Sequence, residues 1–188
     1  MIKYVLDTGL KLERNGAWID LATAEDYYFN NYLGKVSLGI RMDLPSYIEA
    51  LIIPRSSTFG KYALMLGNSI GLIDPPMTDN LINKGNELTG YCGQGDVWKA
   101  PLYCLGLVVP EDVSITPLFK PSIDANLILS KEGYVIGLKK NTRIVQFRLQ
   151  PTMDAPWWVW MKWIFGKLRF KKVDLLTKKN RDGFGTSG

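Results

Sequence analysis

Gly67-Asn68-Ser69-Ile70-Gly71-Leu72-Ile73-Asp74 joins a turn signal to a short apolar run that ends in a carboxylate. Gly67-Asn68 is flanked by Ala63–Leu66 and Ser69–Ile73, a pattern that predicts a hairpin of two short strands. Backbone exposed at such a turn can bond the edge of a nucleobase. Asp74 stands where a strand ends, and a carboxylate there can hold an attacking water; spacing alone favours a simple turn or cap role for it.

The same rhythm runs outward in both directions. Alternating apolar positions at Ile2, Tyr4, Leu6, Leu10 and Leu12, and again at Val36, Leu38, Ile40 and Met42, predict strands. The stretch 16–24, which holds Asp20, and the runs 50–53, 102–109, 134–138 and 143–149 are further strand candidates. Many short strands separated by turn signals predict an all-β sandwich or barrel. Two stretches break the rhythm: residues 75–90 are loop-like and residues 111–133 irregular. Neither reads as a separate domain, and no internal repeat is present.

Residues 157–168 (Trp-Trp-Val-Trp-Met-Lys-Trp-Ile-Phe-Gly-Lys-Leu) predict one short helix, with Asp154 as N-cap and Pro156 in the first turn. Trp157, Trp160, Met161, Ile164 and Leu168 share one face of it. The run is shorter than the ~20 apolar residues that cross a bilayer. A helix packed on its own barrel is the first expectation; a membrane-surface or protein-partner role is the other.

Composition narrows the chemistry. A chain of 188 residues, 46% hydrophobic and 22% charged, can bury the core of one globular domain. Its net charge of +5 suits a polyphosphate ligand or a solvated basic face, and nucleic-acid binding rests on that charge alone, so no stable nucleic-acid complex is expected. The chain has no histidine, which excludes Ser-His and Cys-His nucleophiles and His-ligated zinc, and leaves base chemistry to a carboxylate, lysine or tyrosine. Cys92 and Cys104 lack CxxC spacing and read as reduced packing residues. With no N-terminal export signal and no transmembrane segment, a cytoplasmic setting is expected.

Pro54-Arg55-Ser56-Ser57 follows an apolar strand candidate and offers a guanidinium, two hydroxyls and backbone amides to a phosphate. The chain ends Arg181-Asp182-Gly183-Phe184-Gly185-Thr186-Ser187-Gly188. Its glycines permit close approach to a ligand, Phe184 can stack on a base, and Arg181 can neutralise phosphate. This tail, residues 181–188, is expected to be mobile when empty and to close over a nucleotide.

Taken in order, these pieces resemble the trimeric dUTP diphosphatase (dUTPase) family. Gly16-Ala17-Trp18-Ile19-Asp20-Leu21-Ala22 is similar to its first motif and Pro54-Arg55-Ser56-Ser57, with Lys61 beyond, to its second. Asn68 to Asp74 matches the third, Asn-x-x-Gly-x-Ile-Asp, whose Tyr-x-Gly continuation appears later as Tyr91-Cys92-Gly93. Asn141-Thr142-Arg143-Ile144-Val145-Gln146 resembles the fourth, Gly-Asp-Arg-Ile-Ala-Gln, and Arg181 to Gly188 the fifth. Departures are the insertion of 75–90 ahead of Tyr91, Ser57 in place of glycine, Asn141-Thr142 in place of Gly-Asp, and a shortened tail. Residues 111–133 and 157–168 also look like additions. Compact family members are carried by viruses too, and the inserts are compatible with that.

The resemblance implies a dUTPase-like jelly-roll or β-barrel over 1–180, a homotrimer with shared active sites, and Mg²⁺-dependent hydrolysis of dUTP to dUMP and diphosphate. By the same resemblance Asp74 directs water at the α-phosphorus, while Asp20 and Gln146 hold waters of the metal. Arg55, Ser56, Ser57, Arg143 and Arg181 bind phosphate oxygens. Asn68 and the backbone near Gly71 read uracil, and Tyr91 packs on deoxyribose. Phe184 stacks on the base, with Gly185, Thr186 and Ser187 closing over phosphates. Two alternatives share the fold. A dCTP deaminase relative is disfavoured because Cys92-Gly93-Gln94-Gly95-Asp96 lacks the expected glutamate. A dUTP-sensing regulator would use 157–168 as its partner surface.

Overall fold

The computed structural model of the chain describes residues 1–29, 32–78, 87–88, 90–105, 126–130, 133–178 and 180. In chain order the elements are β1 (Ile2–Leu6), β2 (Arg14–Asn15), β3 (Trp18–Ala22), β4 (Tyr27–Tyr28), β5 (Leu33–Ser37), β6 (Ile40–Asp43), β7 (Ile48–Pro54), α1 (Ser56–Tyr62), β8 (Leu64–Leu66) and β9 (Gly71–Ile73). They continue with β10 (Met77–Thr78), β11 (Glu87–Leu88), β12 (Lys99–Cys104), β13 (Asn126–Ser130), β14 (Gly133–Leu138), β15 (Arg143–Pro151), α2 (Trp157–Phe165) and β16 (Phe170–Lys172). The chain is mostly β, as its short alternating runs predict. The largest sheet has the order β2-β3-β15-β7-β9, and smaller sheets run β5-β12-β8, β16-β1-β6 and β13-β14-β4.

The inward positions of these strands form the core. Leu38, Ile40, Met42, Leu44, Ala50, Leu102, Ile144, Val145 and Phe147 are fully buried. Trp98 meets Phe147 edge-on, with ring centroids 5.4 Å apart. Truncating Phe147 to alanine would cost about 3–5 kcal/mol through lost transfer energy and the cavity left behind.

Four sequence expectations need correction. Leu64–Leu66 and Gly71–Ile73 are not the arms of a hairpin: β8 pairs with β12 and β9 with β7, so the loop between them carries the chain from one sheet to another. Gly67 N donates to Pro101 O at 2.7 Å, which holds the loop to β12, and Ser69 turns it with φ 58°. The irregular stretch 111–133 contains a strand, β13, that pairs with β14. The loop-like stretch 75–90 contains the short pair β10 and β11. Finally, the N-cap of α2 is Pro156, not Asp154, and no side chain caps the helix.

The five residues that share one face of α2 turn it to solvent. Val159 is buried and Trp163 packs on the core, whereas Trp157, Trp160, Met161, Ile164 and Leu168 are exposed, Leu168 lying beyond the helix end. The helix does pack on its own body, through the other side. Among the described residues no helix is long and apolar enough to cross a membrane.

Candidate active site

The centre of the site is a row across the large sheet. In the antiparallel register Gln146 of β15 stands opposite Asp20 of β3 and Ile53 of β7. Opposed residues share a face, with Cβ atoms roughly 5 Å apart. Asp20 and Gln146 therefore project together, as the first and fourth motifs require. A bulge in β15 at Ile144, where the register shifts between Arg143 and Val145, brings Arg143 opposite Ala22 at the edge of this row.

The second motif is fastened to the same strand. Ile144 O accepts from Arg55 N at 3.2 Å and from the fully buried Thr58 Oγ1 at 2.5 Å. That grip sets Arg55 at the start of α1, with its Nε 3.1 Å from Asp20 Oδ1. Ser56 and Ser57 form the first turn of α1, where the amides have no acceptor within the helix.

Asp20 Oδ1 is buried and, despite its nearness to Arg55, has no hydrogen-bond partner among the described residues. The guanidinium lies within ion-pair distance without pointing an N–H along the bond. A buried carboxylate oxygen left so has unused capacity. Beside an amide side chain it suits the water shell of a magnesium ion, which prefers oxygen and keeps several waters. One carboxylate and one amide are too few to enclose the ion directly, so Asp20 and Gln146 would hold it through its water shell. The residues present fit the ion in that outer-shell manner.

Glu13 belongs to this site and escaped sequence reasoning. The β2–β3 turn, with Gly16 at φ 64°, folds Glu13 back so that its carbonyl accepts from Asp20 N at 3.2 Å. Its carboxylate accepts from Arg143 Nη2 at 2.6 Å. The signal was there in Gly16 between two short pairable runs. The Asn141-Thr142 departure also has a physical reading. Asn141 occupies φ 67°, the left-handed region that glycine or asparagine tolerates best. Thr142 Oγ1 ties the turn to Lys139 O at 2.6 Å. The turn survives, and an acid still meets Arg143, supplied from β2's side.

The third motif lies elsewhere. The loop 67–70 between β8 and β9 is exposed, and Asn68 Nδ2 sits 3.9 Å from where a Cβ of Gly71 would be. Asp74 follows β9, and its carbonyl accepts from Tyr91 N at 3.1 Å. The insertion 75–90 thus leaves and returns at one place, and Tyr91 stands beside Asp74 as the uninterrupted motif would have it. Asp74, however, is one residue beyond Ile73, which pairs with Ala50 and so lies level with Leu149. Asp20 lies level with Gln146. The two carboxylates are about four residues apart along the strands and three strands apart across the sheet, roughly 20 Å. One chain does not bring them together.

Arg181, Phe184, Gly185, Thr186 and Ser187 lie outside the described residues. The chain leading to them is anchored: Leu176 N donates to Gln94 Oε1 at 2.9 Å, and Gly95 N to Asn180 Oδ1 at 2.7 Å. Asn180 fills the space where a Cβ of Gly93 would lie. The tail therefore starts from the turn directly after Tyr91.

No family model matches the chain. It is 31% identical over 157 residues to the SPbeta prophage-derived deoxyuridine 5'-triphosphate nucleotidohydrolase of Bacillus subtilis (strain 168), a span of 82% of this chain and 81% of that protein. The fold matches dUTPase from Streptococcus mutans with a TM-score of 0.51, at 19% identity over 82% of this chain and 98% of that one. It also matches a variant of the dUTPase from phage phi11 of S. aureus, a structure described as revealing coordination of a structural Mg(II) ion. There the TM-score is 0.54, at 14% identity over 83% of this chain and 94% of that one. With its jelly-roll-type β fold and its motifs set in these places, the chain belongs to the dUTPase family.

Proposed function

We propose that the chain hydrolyses dUTP to dUMP and diphosphate, in sites assembled between copies of itself in a homotrimer. The observation that carries this reading is the Asp20–Gln146 row with Arg55 and Arg143 on its rim and an unsatisfied carboxylate oxygen at its centre, in a chain of the dUTPase family.

Magnesium, held through water by Asp20 and Gln146, would neutralise phosphate charge and hold the triphosphate in line for attack. Arg55 and Arg143 offer forked donors to phosphate oxygens, with the Ser56 and Ser57 hydroxyls and amides beside them. Arg181 adds a further guanidinium. Asp74, contributed by a neighbouring copy, orients water toward the α-phosphorus and takes its proton as the general base, a role open to a carboxylate in a chain without histidine. Asn68 and the backbone up to Gly71 read the uracil edge. Tyr91, next to Asp74, packs on deoxyribose and leaves no room for a 2′-hydroxyl. Phe184 stacks on the base while Gly185, Thr186 and Ser187 close over the phosphates and exclude water.

The test is to incubate the purified chain with each deoxynucleoside triphosphate and Mg²⁺ and to measure diphosphate and ammonia. Diphosphate from dUTP alone is expected. Ammonia from dCTP would make the chain a deaminase instead, and neither cleavage nor retention of dUTP would end the proposal.

A further inference from the structure

Helix α2 turns its apolar side to solvent. At 100° per residue, Val159 and Trp163 mark the packed side. Trp157, Trp158, Trp160, Met161, Ile164 and Phe165 sweep the arc opposite, and all six are exposed, Trp157 by 76% and Phe165 by 77%. The exposed apolar surface is roughly 700 Å², beyond the largest patch an ordinary monomer shows.

The charges carried within the segment itself are of one sign. Lys162 borders it, with its ammonium 5.0 Å from the Trp158 ring centre. Lys167, Arg169, Lys171 and Lys172 follow, and no acidic residue occurs between Ala155 and Val173. Lys171 and Lys172 are exposed on β16, whose one partner among the described residues is β1. The segment is held at both ends: residues 152–156 join α2 to β15, and Ile2 N donates to Arg169 O at 2.8 Å.

We propose that α2 and β16 form a docking surface for an anionic lipid bilayer, on which α2 lies in the plane of the headgroups. A convex helix with aromatic residues outward and lysines and arginine at its border matches the layering of such a membrane, acyl chains beneath phosphate. Tryptophan is the side chain best suited to that boundary. A protein partner would have to offer a groove both apolar and acidic. The helix is too short to span, so attachment is peripheral and reversible.

The test is sedimentation of the full chain with vesicles of phosphatidylcholine alone or with about a third phosphatidylglycerol. The chain should pellet with the anionic vesicles only, with a blue shift of tryptophan emission and release by salt. Lys162→Gln with Lys167→Gln, both exposed and on or directly after α2, should weaken the partition constant about 25-fold, roughly fivefold per charge. Trp157→Ser with Phe165→Ser should abolish binding, with thermal unfolding unchanged in both variants and, if the proposed hydrolysis is correct, dUTP turnover unchanged as well. A wild-type chain that stays in the supernatant, or that binds neutral and anionic vesicles alike, overturns the proposal. If it stays in the supernatant and the Trp157→Ser, Phe165→Ser variant is a smaller oligomer, a second copy covers the arc. If it stays in solution and instead forms a complex with another protein that the same variant loses, the arc is a protein interface.

Discussion

Asp20→Asn separates the structural from the chemical part of the site. The Asp20 side chain is 4% exposed and the Arg55 side chain 26%, with 3.1 Å between Nε and Oδ1. Coulomb's law at an intermediate effective dielectric gives such a pair about 5 kcal/mol. Desolvation of the carboxylate offsets most of it. Asparagine keeps the volume and removes the charge, and Arg55 can turn to water, so the net loss should be about 1–2 kcal/mol. For a chain of this length that lowers Tm by roughly 2–8 °C. The catalytic effect should be far larger in proportion, a roughly 10–100-fold loss in Mg²⁺ response and turnover, because the oxygen that would hold metal-bound water is weakened as an acceptor. The assay is dUTP turnover against Mg²⁺ concentration beside thermal unfolding of the same sample. A variant with the expected fall in Tm but wild-type kcat and Mg²⁺ half-saturation would refute the reasoning and leave Asp20 as a purely structural partner of Arg55.

Three further outcomes follow from the same geometry. Deleting 184–188 should cut turnover severely with Tm unchanged, measured by diphosphate release; full activity would contradict the closing role of the tail. Gly93→Ala places a methyl where Asn180 sits, so it should displace the root of the tail and lower turnover by about tenfold or more while costing about 1–3 kcal/mol of stability; wild-type turnover would show that the root need not be held. Burial pushes the Cys92 thiol up to about 11 from 9.0. The folded state therefore retains this proton where the unfolded chain loses it, and the stabilisation, complete below pH 9, is lost as pH rises toward 11, about 2–3 kcal/mol in all. Cys92→Ala should flatten that part of the pH–stability curve relative to wild type, and identical curves would count against it.

The strands were legible where alternation was strict, as in β1 and β6, or where a short apolar run met a turn residue, as in β7. Partners were not. Gly67-Asn68 carries the same local signal whether its flanking strands pair with each other or part into two sheets, and the choice is made by Pro101, a distant residue in the sequence. The register of α2 was visible in its period, but with apolar residues nearly all round, period could not say which side is packed; Val159 and Trp163 settle it. In the site, Asp20, Gln146, Arg55 and Arg143 were readable as motif positions and the sheet register unites them. Glu13 was not, because it reaches Arg143 through the fold of β2 on β3 rather than through spacing. Tyr91 was placed beside Asp74 only by a backbone hydrogen bond across an insertion of unpredictable path.

The central claim is that one copy supplies the Asp20 row and another supplies Asp74. It is tested by mixing two impaired variants, Asp20→Asn and Asp74→Asn, unfolding and refolding them together, and measuring dUTP turnover above that of either variant alone. Random assembly into symmetric oligomers gives about a quarter of the sites an intact Asp20 from one copy and an intact Asp74 from its neighbour. Turnover near a quarter of wild type is predicted, while Asp74→Asn alone still binds dUTP. Turnover no higher than that of the separate variants, in a mixture shown to contain mixed oligomers, would contradict a site built between chains.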